Sequence, residues 1–100
     1  MTLALRWTHA ARRDLLDIWA WRGRDHSELG DQALDRIESA CVRLTQFPHL
    51  GPPFPRIAPD ARKLSIDGYL ALYRVLSGTV EVVRVVDQRR LLEAISFPLE

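Results

Sequence analysis

The chain has 100 residues, 47% of them apolar and 27% charged, a composition typical of one soluble domain with a modest core. Its formal net charge is only +1, which argues against a protein whose main partner is nucleic acid. The single cysteine excludes an intrachain disulfide and no apolar stretch is as long as a membrane span, so we expect a cytoplasmic protein.

The first half of the chain predicts one strand and two helices. Residues 3–7 form a short apolar run that ends before Thr8, a favourable helix N-cap. Apolar residues then recur at helical spacing over residues 9–24. After the polar stretch RDHSELG, a second helix is predicted to start at residues 27–31 and to end at Phe47. Pro48 ends it because proline lacks the N–H that a helix needs.

Each predicted helix has an apolar stripe, so the two helices should pack as an antiparallel hairpin. The stripe of the first helix contains Ala11, Leu15, Ile18 and Trp19. The stripe of the second helix contains Ala33, Ile37, Ala40, Cys41 and Leu44. Trp21 lies off the first stripe, and we interpret it as a core or partner contact rather than a base-stacking residue.

The second half of the chain predicts a proline-rich loop followed by three strands. Five of the six prolines lie in the stretch PHLGPPFPRIAPD. Strand-like runs follow at residues 62–66, 69–76 and 79–87, and Asp67-Gly68 and Ser77-Gly78 fit two-residue turns between them. The tail LLEAISFPLE is predicted to be a short helix or an irregular strap.

These elements predict the α+β class. We expect an N-terminal strand, an antiparallel helical hairpin and a three-strand antiparallel meander, with the hairpin on one face of the sheet. No composition shift or linker divides the chain, so residues 1–100 are predicted to form a single domain.

The register of the last hairpin assigns partners to two arginines. A two-residue turn places Arg74 opposite Glu81, an opposite-charge pair. The same register places Arg84 opposite Ala71, where its stem would pack on Tyr73 unless the residue contacts a target.

Both faces of that hairpin are mostly apolar. One face contains Leu70, Leu72, Val83 and Val85, together with Arg74 and Glu81. The other contains Tyr69, Ala71, Tyr73, Val75, Val80, Val82 and Val86, together with Arg84. Because the helical hairpin can cover only one face, the sequence predicts an exposed apolar face that binds a partner.

Three segments carry a family resemblance. They are WTHAARRDLLDIWAW in the first helix, ALDRIESACVRLTQFPHLGPP in the second helix with its Pro-x-x-Gly exit, and RKLSIDGYLALYRV followed by VEVVRVVDQRR. In order and spacing they resemble the ParE/RelE superfamily of toxins from bacterial type II toxin–antitoxin systems over nearly the whole chain. The Tyr-Arg-Val segment before the turn and the Arg-Val strand after it are most similar to the ParE branch.

The resemblance implies only part of a nuclease site. RelE-like members cut messenger RNA on the ribosome, using basic side chains and a tyrosine or histidine near the C-terminus. Lys63 could supply one basic group, and Arg89 or Arg90 another. However, Ser65 and Leu70 stand where such enzymes tend to carry further basic residues.

The C-terminal base is missing as well. Its position is taken by Ile95, Phe97 has no acid–base chemistry, and no histidine follows His49. The ParE branch also lacks this constellation, and some of its members poison DNA gyrase by trapping the cleaved-DNA complex. We therefore expect no catalytic activity of the chain's own.

The resemblance implies a toxin that is neutralised by direct binding of a cognate antitoxin, encoded adjacently, and that acts on DNA gyrase. The toxin and its antitoxin would form a hetero-oligomer. The alternatives are a ribosome-dependent mRNA endonuclease and a degenerate, non-toxic binding module. We expect no cofactor, no membrane contact and no sequence-specific nucleic-acid binding. We also expect no metal, because the three histidines are scattered.

The candidate residues fall into three groups. The weak catalytic candidates are Lys63, Arg89 and Arg90. The target-contact candidates are Arg84, Arg89 and Arg90. The antitoxin-contact candidates are Leu70, Leu72, Val83, Val85 and Trp21.

Overall fold

The computed structural model describes residues 2–90 and 95–97, and it confirms the predicted α+β class and order of elements. The elements are β1 (Ala4–Trp7), α1 (His9–Arg22), α2 (Ser27–Arg43), β2 (Arg62–Ile66), β3 (Tyr69–Leu76) and β4 (Thr79–Asp87). The bounds of β2, β3 and β4 are those predicted. Of the tail predicted as a helix or strap, residues 91–94 and 98–100 lie outside the described residues.

The ends of the helices follow from local hydrogen bonds. Thr8 is the N-cap of α1, as predicted, because its hydroxyl accepts from the Ala11 N–H at 3.0 Å. The α2 helix ends at Arg43, earlier than predicted. From Leu44 to Gln46 the backbone bonds are i to i−3, as in Thr45 N–H to the Val42 carbonyl. The Thr45 hydroxyl donates to the same carbonyl at 2.6 Å.

The sheet has four strands in the order β1-β4-β3-β2. The pairs β2–β3 and β3–β4 are antiparallel, as in the predicted meander, whereas β1 joins β4 in parallel. Both hairpin turns need left-handed backbone, which Asp67 (φ 52°), Gly68 (φ 87°) and Gly78 (φ 73°) adopt. The predicted pair of Arg74 and Glu81 is confirmed, with 2.8 Å between Arg74 Nε and Glu81 Oε1.

The helical hairpin covers the first face of the sheet, as predicted. The core between them contains Ala11, Ile18, Ala33, Ile37, Cys41, Leu44, Tyr69, Ala71, Tyr73, Val80, Val82 and Val85. Trp19 does not belong to this core, although its spacing placed it there. Its side chain reaches across to α2, where the indole N–H donates to Asp31 Oδ1 at 2.9 Å, and it remains 42% exposed.

The second face of the sheet is also covered, so the predicted exposed apolar face is wrong. Leu70, Leu72 and Val86 pack there against residues from two distant segments. The covering side chains are Phe54 and Ile57 from the proline-rich loop and Ile95 and Phe97 from the tail. The proline-rich loop has no strand or helix pattern, and the prediction of a short helix or a strap for the tail gave it no position on the sheet, which is why the sequence did not reveal these segments as a layer.

A β-bulge corrects the predicted register of β4. Pairing shifts by one residue between Leu72 and Tyr73, so Arg84 lies opposite Leu72 instead of Ala71. The extra residue is Val83, which is fully buried. Because a bulge inverts the alternation of side chains, Val85 packs on the helix side and Val86 on the second face, the reverse of the prediction.

Candidate functional site

The outer edge of β4 is only partly covered by its neighbour. β1 pairs with β4 as far as Val82. The Thr8 hydroxyl then donates to the Val83 carbonyl at 2.8 Å, and Asp14 Oδ2 accepts from the Val85 N–H at 2.9 Å. Main-chain groups alternate along a strand, so the Val85 carbonyl and the Asp87 N–H point to this same edge. Among the described residues, neither group has a hydrogen-bond partner, but Val85 is only 2% exposed, so Asp87 is the accessible residue of the two.

A cavity of about 190 Å³ lies between this edge and the second half of α1. We call it the β4-edge cleft. It is lined by Asp14, Asp17, Ile18, Trp21, Tyr69, Val85, Val86, Asp87 and Arg90. The cleft therefore combines a stretch of strand that β1 does not pair, an aromatic wall and several charges.

Trp21 is the most exposed aromatic side chain at the cleft, with 62% of its surface accessible. The Arg24 guanidinium lies 3.9 Å from the indole centroid and donates to the Trp21 carbonyl at 2.7 Å. This cation–π contact holds the indole in place on the surface without burying it. A fixed, exposed tryptophan is a typical anchor for a protein partner.

Arg84 connects three parts of the molecule. The predicted packing of its stem on Tyr73 is not observed. Its Nε and Nη2 donate to Oδ2 and Oδ1 of Asp14 at 2.7 and 3.0 Å, and its Nη1 donates to the Ser96 carbonyl at 3.0 Å. The hydrogen bond to Asp14 raises the pKa of Arg84. The guanidinium is thus held between α1, β4 and the tail, with little capacity left for a target.

Arg89 and Arg90 follow β4 at the end of the cleft. The side chain of Arg89 is 86% exposed, and its Nη2 lies 2.9 Å from Asp87 Oδ2. Hydrogen bonds from Arg89 lower the pKa of Asp87 to about 2. The Arg90 N–H donates to the Asp87 carbonyl at 3.0 Å, and Arg90 lines the cleft. Both arginines are solvent-facing, as predicted.

Lys63, the remaining nuclease candidate, lies on β2 at the opposite edge of the sheet. Its Nζ sits 4.5 Å from the centroid of the Phe54 ring, a cation–π contact beneath the second face. Lys63 pairs with Leu72 and Leu72 pairs with Arg84, so an apolar side chain separates the two cations along one row. The basic candidates are not grouped around one position where a phosphate could sit.

The structure therefore divides the predicted site residues into two sets. Around the β4-edge cleft it brings together Trp21, Val85, Arg84, Arg89 and Arg90. Away from the cleft it places Lys63, Leu70, Leu72 and Val83. The last three are buried, so none of them presents a surface to an antitoxin in this conformation.

None of the three carboxylates that line the cleft was predicted as a site residue; two of them, Asp14 and Asp17, lie on α1. The signal for them was present, since residues 14, 17 and 21 recur at helical spacing and share one face of α1. Asp14 is bound by Arg84 and Val85. Asp17 is exposed and has no hydrogen-bond or ion-pair partner within residues 2–90 and 95–97.

The described residues hold no group of three His, Cys, Asp or Glu side chains arranged to bind a metal ion. Cys41 is buried, which raises the pKa of its thiol to about 12, and it behaves as a core residue. Within the same residues, neither the length nor the polarity of any helix suits a membrane crossing.

Comparisons with known proteins agree on one group. The family described as "ParE toxin of type II toxin-antitoxin system, parDE" matches residues 5–92. Toxin ParE3 of Caulobacter vibrioides is 38% identical over 61 residues, a match that covers 61% of this chain and 61% of that protein.

Solved structures have the same fold. A chain of the chromosomal ParDE toxin–antitoxin system of P. aeruginosa has a TM-score of 0.75 at 24% identity, covering 86% of this chain and 96% of that one. A chain of the toxin–antitoxin complex RelBE2 of Mycobacterium tuberculosis has a TM-score of 0.69 at 23% identity, with 88% and 100% covered. A mutant E. coli toxin RelE in the free state has a TM-score of 0.67 at 18% identity, with 89% and 86% covered.

Proposed function

The chain belongs to the ParE toxin family of type II toxin–antitoxin systems, and we propose that a cognate antitoxin neutralises it by binding at the β4-edge cleft. The observation that carries this proposal is the exposed indole of Trp21, which lies beside the end of β4 that β1 does not pair and where Asp87 is partly exposed among the described residues. An extended segment of the antitoxin adds to this edge through main-chain hydrogen bonds and packs an apolar side chain on the indole.

A second contact lies on the helical hairpin. Leu16 and Trp19 on α1 are 63% and 42% exposed, and Leu29 on α2 is 42% exposed. An amphipathic helix of the antitoxin covers these side chains and excludes water from them. Toxin and antitoxin then form a hetero-oligomer in the cytoplasm, with the extended segment and the helix wrapped around α1.

The proposed cellular target is DNA gyrase, and the chain acts on it by binding rather than by cleaving RNA. Support comes from three of the four basic candidates, whose side chains are already engaged by other residues of the protein. Arg84 is held by Asp14, Arg89 by Asp87, and Lys63 lies on the Phe54 ring. RNA cleavage without a metal needs several cations and a base directed at one phosphate.

Expression in bacteria tests the antitoxin part. The chain alone should arrest growth, and co-expression of the short reading frame next to its gene should restore growth. Trp21→Ala should weaken co-purification of the antitoxin at least tenfold, because it removes an exposed tryptophan that the bound antitoxin would bury. Phe47→Ala is the matched control. Phe47 is similarly exposed, at 56%, but follows α2 at the opposite end of the hairpin. A harmless, soluble, monomeric protein would contradict the toxin assignment.

Two assays on one preparation test the target. The purified chain should inhibit supercoiling by gyrase and accumulate cleaved DNA, while leaving message intact in a translating extract. Codon-specific cleavage of message that Lys63→Ala or Arg89→Ala strongly reduces would instead establish the ribosome-dependent nuclease. If neither gyrase nor translation is affected, the chain is a binding module without toxicity.

A further inference from the structure

We propose that the β4-edge cleft accepts a lysine or arginine side chain from the extended segment of the antitoxin, an inference that rests on the proposed function. The main chain of that segment pairs with β4, and one of its side chains enters the cavity towards α1. The charge and shape of the cleft indicate which type of side chain it accepts.

The first argument is charge. The cleft is lined by three carboxylates and one cation, Arg90. The Asp14 carboxylate already accepts hydrogen bonds from Arg84 and from the Val85 N–H, and the Asp87 carboxylate accepts hydrogen bonds from Arg89. Asp17 is the carboxylate of the cleft that has no partner among the described residues. A cation from a partner would therefore pair with the Asp17 carboxylate.

The second argument is shape. The cavity of about 190 Å³ is smaller than the roughly 300–1,000 Å³ of sites for small-molecule ligands, yet it can hold one long side chain. Its walls next to Asp17 are apolar, formed by the Trp21 indole and by Ile18. Lysine and arginine combine an apolar stem, which these walls would cover, with a charged head that reaches a carboxylate at the rim.

The third argument is placement by the strand edge. Asp87, partly exposed at the end of β4 and beyond the residues that β1 pairs, fixes the height of an added strand, and alternate side chains of such a strand point to the same side. One residue of the segment is then directed at the space between β4 and α1. Arg90 also borders this space, so an acidic side chain is the competing occupant, and the two make opposite predictions.

A random peptide library tests this chemistry without the antitoxin. Phage displaying random twelve-residue peptides are selected on the immobilised, purified chain. Enriched peptides should carry a lysine or arginine within a run of strand-forming residues. Bound peptide should also slow hydrogen exchange at the Asp87 amide, the signature of strand addition. Enrichment of acidic residues, or of no peptide at all, overturns the proposal.

Matched variants separate the cleft from general charge effects. Asp17→Asn should weaken the selected peptides roughly tenfold, since a charge-assisted bond is lost, and the affinity for the unmodified chain should fall as salt rises. Asp35→Asn is the control, because Asp35 is also exposed but lies on α2 outside the cleft. Circular dichroism should show both variants folded. Equal affinity for Asp17→Asn and the unmodified chain overturns the proposal.

Failure of this inference can be distinguished from failure of the proposed function. If the antitoxin neutralises the chain but the peptides show no basic preference, neutralisation stands and the inference fails. If the peptides behave as expected but no adjacent reading frame restores growth, the cleft chemistry stands and the identity of its partner is wrong.

Discussion

Glu81 is a fully buried carboxylate whose charge is balanced from two strands. Arg74 Nε lies 2.8 Å from its Oε1, and Arg6 Nε lies 3.3 Å from its Oε2, although the second contact lacks hydrogen-bond geometry. The side chain of Arg74 is 13% exposed and that of Arg6 is 51% exposed. The two arginines contact the same carboxylate, but one is nearly buried and the other is half exposed. Their contributions to the free energy of unfolding should therefore differ.

We expect Arg74→Ala to lower the free energy of unfolding by about 3 kcal/mol, because it leaves Glu81 buried without its hydrogen-bonded partner. Arg6→Ala should cost less than about 1 kcal/mol, since solvent screens an exposed ion pair. Urea unfolding of both variants measures the difference. Equal losses would show that burial of the arginine does not set the strength of these pairs.

Asp87 and Arg89 form a pair that pH can probe. Because the pKa of Asp87 is lowered to about 2 in the folded chain, its contribution to stability is present above the ordinary value near 3.9. That contribution is lost as pH falls towards 2. Arg89→Gln should return the pKa towards about 3.9, and Arg90→Gln should change it less. A carboxyl NMR titration checks this, and an unchanged pKa in Arg89→Gln would contradict the assigned cause.

The helical hairpin depends on a close approach at Gly30 of α2. A Cβ at this position would lie 2.5 Å from the Trp19 carbonyl oxygen and 3.0 Å from Trp19 Cδ1. No real Cβ tolerates the first distance, so any larger residue would push α2 away from α1. This contact keeps Trp19 and Asp31 in hydrogen-bonding distance, at 2.9 Å, at the end of the hairpin next to the cleft.

Gly30→Ala should therefore destabilise the chain by about 1–2 kcal/mol, because overpacking costs about 1–3 kcal/mol and alanine's helix propensity returns up to about 1 kcal/mol. Ser39→Ala, on the exposed face of the same helix, should stabilise it by a few tenths of a kcal/mol. Thermal unfolding compares the two. A Gly30→Ala variant more stable than the parent would mean that the helices separate without cost.

The whole molecule is a sheet with apolar side chains on both faces, and each face has its own cover. The helical hairpin closes the first face, whereas the proline-rich loop and the tail close the second. Ile95 is 8% exposed and packs among Leu70, Leu72 and Val86. A chain of 100 residues can thus bury an apolar sheet on both sides without a partner.

Ile95→Ala should lower the free energy of unfolding by about 2 kcal/mol, because it opens a cavity beneath the second face. Binding of a hydrophobic dye should rise at the same time. Leu16→Ala removes a side chain that is 63% exposed and should change stability by less than about 0.5 kcal/mol. An Ile95→Ala variant as stable as the parent would show that the tail contributes no cover.

The sequence by itself determined the elements of the fold. Strands at residues 62–66, 69–76 and 79–87 were predicted correctly because alternation and turn residues such as Asp67-Gly68 act over a few neighbours. The pair of Arg74 and Glu81 followed from the same local turn. Trp21 was singled out because it lay off the helical stripe, and Asp14 and Asp17 could have been found by their spacing to it.

Only the tertiary structure decided which of these residues meet. The parallel pairing of β1 with β4, the bulge at Val83 and the cover over the second face all lay outside local patterns. The Thr8 hydroxyl bonds to a carbonyl 75 residues away, and Asp14 bonds to Arg84 across 70 residues. Such contacts join residues that are distant in sequence, and they form only when the whole chain has adopted its lowest-energy packing. The spacing of apolar and polar residues within one element could therefore not determine them. The β4-edge cleft exists only because of them.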